Sequence, residues 1–157
     1  MAAPNLVAYL DHYRDEVGRV LDPKPGRLFV QPGGEVAWDS CDCDGQGWAR
    51  IVNAVPIYGD RKANGKRCVT RWDVTFAVGV LRCVQGIRQV GQKVILPTSA
   101  QITADGHTFA GDLLALMSMV ECDKFVDSMI DAVPLGPDGG CAGSEIRFTV
   151  RVSPCCD

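Results

Sequence analysis

Cysteine is the residue type in this 157-residue chain with the most chemistry to offer: Cys41, Cys43, Cys68, Cys83, Cys122, Cys141, Cys155 and Cys156. An even count at this density suggests disulfides in a secreted protein. Against that, the first residues, MAAPNLVAYLDHYRDEV, are charged within their first turns and hold no apolar signal-peptide core. The expectation is therefore a chain made in a cytoplasm and not exported by the general secretory route. Zinc fits poorly, because C-D-C and C-C are not C-x2-C knuckles and the two histidines, His12 and His107, stand isolated. No metal and no cofactor is expected, and the cysteines read as buried or partly paired thiols. Assembly in a reducing cytoplasm followed by release into an oxidising medium would reconcile the cysteines with the missing signal.

Other chemistry-bearing patterns fail on spacing. Gly59 to Lys66 imitates a phosphate-binding loop, but five residues separate Gly59 from Gly65 and Arg67 stands where Ser or Thr is needed. Asp42-Cys43-Asp44-Gly45 imitates the middle of a calcium loop, yet Ser40 then takes the first position and Ile51 the twelfth, where a bidentate Glu is required. Neither histidine has a Ser or Cys in a nucleophile-elbow context. The chain does not read as an enzyme.

Charge offers two candidate surfaces. Arg61, Lys62, Lys66 and Arg67 surround the turn at Asn64-Gly65, so four cations sit on one projecting tip. Such a tip is either solvated or docks on an acidic neighbour or DNA phosphates. In the last strand, Glu145, Arg147, Thr149 and Arg151 alternate with Ile146, Phe148, Val150 and Val152, which makes one face core and the other polar. That polar row is either a solvent face or a subunit contact in which Arg147 and Arg151 meet Asp123 or Asp127 of a neighbour.

The elements that position these residues read clearly in places. The stretch Cys68 to Gln85 is a very long strand whose even positions, Trp72, Val74, Phe76, Val78 and Val80, suit a packed core. Its odd positions run from polar (Arg71, Asp73) through small (Ala77, Gly79) to apolar (Leu81), so its faces are unequal. This length far exceeds the usual five or six residues. Leu6, Leu10, Tyr13, Val17 and Val20 describe an amphipathic first helix ending before Asp22-Pro23. Arg27–Gln31, Glu35–Trp38 and Trp48–Tyr58 read as strands, and 86–106 as a connection bearing Pro and Gly. Thr108 is placed to cap a second helix from Phe109 to about Ala132. The apolar stripe of that segment changes face near Glu121, which means either a kink or a helix packed on two sides. The expectation is one α+β domain over 1–157: a mostly antiparallel sheet with a long central strand, an N-terminal helix, and a second helix before the last strand.

Composition sets outer limits. Hydrophobic content of 46% and charged content of 22% are ordinary for a folded protein, and the longest apolar run is far too short to span a membrane. A net charge of −3 argues against free, sequence-independent nucleic-acid binding.

Three segments, VAWDSCDCDGQGWARI (36–51), WDVTFAVGVLRCV (72–84) and PLGPDGGCAGSEIRFTVRV (134–152), resemble neck proteins of long-tailed phages of actinobacteria. The shared features are a W-D followed by a Cys-rich loop, a V-G-V-L-R-C strand end, and G-P-x-G-G-C-x-G before a last amphipathic strand. The likeness departs at Ser144-Glu145-Ile146, where glycine or an aromatic residue is expected. The order of elements is similar to tail-terminator proteins. What that resemblance implies is a structural virion protein, made in the host cytoplasm and placed at the head–tail neck. It would form a ring of identical subunits, six-fold by analogy, that caps the tail tube and joins it to the capsid. Its partners would be itself, the major tail protein, and the head-to-tail stopper or other neck proteins. Genomic DNA would pass through the lumen without sequence-specific binding. The alternatives are a neighbouring neck protein, stopper or adaptor, and, from another class, a small cytosolic metal-dependent enzyme or binding module using Cys41 and Cys43.

Overall fold

The computed structural model describes residues 5–33, 44–63, 65–138 and 140–153. Helix α1 covers Leu6–Val20 and starts where Asn5 Oδ1 accepts from the backbone N–H groups of Val7 and Ala8, at 3.1 and 3.3 Å. That bond satisfies donors every helix start leaves orphaned. Strand β1 is Arg27–Val30, β2 is Gln46–Ala63 and β3 is Lys66–Cys83. A small hairpin, β4 (Arg88–Val90) and β5 (Lys93–Ile95), precedes helix α2 (Ser99–Cys122), and β6 (Val126–Asp138) and β7 (Cys141–Val152) complete the chain.

The main sheet has the order β1-β2-β3-β7-β6, with β1 parallel to β2 and every other pairing antiparallel. Both helices lie on one face of it. The even positions of β3 pack there with Ile146, Phe148 and Val150 of β7, under Tyr13 and Val17 of α1 and Leu116, Met119 and Val120 of α2. Tyr13 stands edge-on to Phe148 with centroids 4.7 Å apart, and Phe76 stacks on Phe148 at 6.1 Å. This is the expected α+β architecture, with the long strand at its centre.

Three expectations change. The second helix does not run from Phe109 to Ala132. It begins ten residues earlier, with Thr98 as N-cap, its Oγ1 accepting from Gln101 N–H while Gln101 Oε1 accepts from Thr98 N–H. Thr108 is interior, and its hydroxyl donates back to the Ala104 carbonyl at 3.1 Å. The switch of apolar face near Glu121 marks the helix end at Cys122, after which residues 126–138 take the two-residue period of β6. Lastly, the unequal faces expected of β3 are both covered in its middle: Thr75, Ala77 and Leu81 are buried on the odd side, so the strand is covered on both faces from Val74 to Leu81. The strand expected at Glu35–Trp38 lies outside the described residues.

Candidate assembly surfaces

The covered far face of the sheet is built around an ion pair. Trp48 and Arg50 of β2 and Glu145 of β7 point away from the helices, flanked by a small apolar cluster of Leu81 and Cys141. Arg50 Nε donates to Glu145 Oε2 at 2.8 Å and Nη2 to Oε1 at 2.7 Å, a fork-on-carboxylate arrangement, and Trp48 Nε1 donates to the same Oε2 at 3.1 Å. Both charged side chains are nearly closed off from water, at 6% and 3% exposure. Two glycines make the approach feasible. A Cβ on Gly79 would lie 2.3 Å from the Trp48 ring, and one on Gly143 would lie 1.8 Å from the Val80 carbonyl oxygen. Glu145 thus ties β7 to β2 across β3.

The arginines of the polar row on β7 have carboxylates of the same chain beside them, although the buried Arg147 Nε makes no hydrogen bond. Arg151 Nη2 lies 3.0 Å from Asp127 Oδ2, and Arg147 Nε lies 3.5 Å from Asp131 and 3.6 Å from Glu145. Asp123 closes α2, and its Oδ2 meets His12 Nε2 of α1 at 2.6 Å. Burial first, and then the negative charge of Asp123, push the neighbouring Tyr13 phenol well above its usual range. Contacts of Arg147 and Arg151 with a neighbouring subunit are therefore not needed to account for their charge. A second clamp joins β3 to α2: Arg82 Nε donates to Asp112 Oδ2 at 2.5 Å, and its Nη2 to Asp112 Oδ1 and the Pro23 carbonyl.

Other elements reach away from the core. The ladder between β3 and β7 ends at Trp72↔Val152, and β1 covers only the first four residues of β2. From Ile57 to Arg71, β2 and β3 therefore pair with each other alone, as a ribbon extending about 20 Å past the sheet. Gly65, with φ +78°, supplies the turn. Lys66 and Arg67 are exposed at the tip, and Tyr58 on its stem is about half exposed. Arg61 and Lys62 lie on the β2 side of the same turn, their side chains outside the described residues. The pseudo-phosphate loop Gly59–Lys66 thus forms the end of a hairpin and not a strand-to-helix turn.

The second projection is the β4–β5 arm, which was read from sequence only as a connection. The sequence signal there is weak, because the apolar residues at 87, 90, 94, 95 and 96 follow no two-residue period; only Gly91, with φ +62°, marks the turn. Ile87, Val90, Val94, Ile95 and Leu96, with Ile102 at the start of α2, are all between 49% and 72% exposed.

Among the described residues, no group of three His, Cys, Asp or Glu side chains is placed to hold a metal ion; Cys41 and Cys43 lie outside them. Cys141 is disulfide-bonded, and Cys68 and Cys122 are free thiols. No helix among the described residues is long and apolar enough to cross a membrane. No protein-family model matches the chain, and no curated protein matches it in sequence.

Proposed function

We propose that this chain is a structural virion protein that forms a ring at the head–tail junction of a long-tailed phage, most closely a tail terminator. The observation that carries the reading is the β2–β3 ribbon. A two-stranded ribbon alone is marginal in water, and this one extends beyond any third strand while carrying exposed apolar and basic side chains. Such an element is explained by a neighbour that covers it. The sheet edges that β1 and β6 leave open among the described residues fit the same picture, since a closed ring hides edges that a lone domain leaves available for pairing. A net charge of −3 suits a subunit around a DNA channel, because an acidic lining lets DNA slide where a basic one would hold it by counterion release.

The experiment is depletion of this protein during infection, scored by electron microscopy. A terminator predicts full heads separate from tails, with the tails of unregulated length. Unattached tails of normal length would assign the chain to the stopper or adaptor layer instead. Stoichiometric zinc in the pure protein together with normal particles would favour the cytosolic metal-dependent alternative.

A further inference from the structure

We infer that the β4–β5 arm of one subunit docks on the open edge of β6 in a second copy of this chain, which makes a head-to-tail contact. The inference rests on the ring reading and adds the surfaces that close it. The arm forms its own two-stranded sheet and pairs with no strand of the main one. Opposite residues in its ladder share a face, so Val90 and Ile95 lie on one side and Ile87, Val94 and Leu96 on the other. An arm that is apolar on both sides is suited to being clasped. Its exposed side chains, with Ile102, present on the order of 600 Å² of apolar surface, the upper end for a monomer and near one partner's share of a standard interface.

Charge and backbone chemistry select the place where it lands. The arm between Val84 and Pro97 carries Arg88 and Lys93 and no acidic residue, whereas the span from Asp123 to Asp138 carries four aspartates against Lys124 alone. Asp131 keeps 44% of its side chain exposed despite Arg147, and the adjacent Ile130 is 52% exposed. Among the described residues β6 is the last strand of the main sheet, so its outer backbone groups have no strand partner there. Pro134 and Pro137 block pairing in its second half, leaving residues 126–133 as the stretch able to accept a short added strand. A three-residue strand such as β5 fits that length. Because arm and edge are different surfaces, the contact is heterologous, and repetition generates a ring when the rotation closes.

The test places a photo-crosslinking phenylalanine analogue at Val94 in a mixture of isotopically light and heavy chains, at concentrations where sedimentation shows association. The expected result is a mixed light–heavy crosslink ending within residues 126–133. Association with the crosslink elsewhere on the second copy would overturn this inference and leave the ring reading standing. No association at any concentration, or only same-chain crosslinks, would overturn both. As an independent measurement, Val94→Asp should weaken association at least about tenfold while leaving the melting temperature unchanged, because the side chain is exposed in the single chain. Unaltered association of that variant would likewise refute the arm contact.

Discussion

Replacing Glu145 by Gln tests the far face of the sheet directly. The change keeps the shape and an acceptor for Trp48 Nε1 but removes the charge that faces Arg50. Were the pair on the surface, the loss would be within about 1 kcal/mol, because water and salt screen exposed ions. Here the two side chains are 6% and 3% exposed and joined by bonds of 2.7 and 2.8 Å. Breaking such a pair strands a guanidinium out of water, so the expected cost is about 3–5 kcal/mol. For a chain of this size, each 1 kcal/mol moves the melting temperature by about 2–4 °C, so the variant should melt at least about 6 °C lower. Arg50→Met alone should cost a similar amount, and the two changes together far less than their sum, since neither then leaves a charge behind. Denaturant titration of the four proteins gives the coupling. A loss below about 1 kcal/mol for Glu145→Gln, or strict additivity, would show that water reaches this face and that the buried ion-pair reasoning is wrong.

Phe76→Ala, in the aromatic cluster under α1, should cost about 3–5 kcal/mol by denaturant titration, while Thr75→Ala on the far face should cost about 1 kcal/mol, more than an exposed threonine would. Arg82→Ala should release α2 from β3, visible as faster amide exchange in α2 than in α1, because Asp112 is left 7% exposed without its cation. The Glu16 carboxyl is held below its ordinary range chiefly by its hydrogen bond from Arg19. A lowered carboxyl stabilises the fold at neutral pH and loses that contribution as pH falls through its folded value, so Arg19→Ala should raise the Glu16 midpoint in an NMR titration. With Arg19 largely exposed, the denaturant midpoint should stay where it is.

Elements with an unambiguous period were legible in the sequence. The spacing of Leu6 to Val20 placed α1, and the alternation in β3 and β7 put Phe76, Ile146 and Phe148 on the helix-covered face, where they are. Where one period passes into another, the reading failed. Helical and strand periods meet near Asp123, and the apolar residues from Phe125 to Val133 satisfied a second helical stripe well enough to hide β6. Local capping chemistry decided the start of α2, since Thr98 and Gln101 form a reciprocal pair and Thr108 does not. Burial of Glu145 had no local signal at all, because its partner Arg50 is 95 positions away. Alternation shows which face a residue is on, but not whether that face is covered.

The sheet order also sets the path by which the chain must fold. Strands β2 and β3 form one hairpin and β6 and β7 another, each closed by a short turn, and among the described residues their backbones pair only along the β3–β7 ladder from Trp72↔Val152 to Cys83↔Cys141. About 60 residues separate the strands of that seam, and closing such a loop costs about 3.5 kcal/mol in chain entropy beyond a constant. Neither hairpin repays the cost until the seam zips, because the Phe76–Phe148 stack and the Arg50–Glu145 bonds both lie across it. The β3–β7 ladder is thus the pairing of greatest loop length, the kind that slows folding. Until that ladder forms, β3 and β7 each present an unpaired edge.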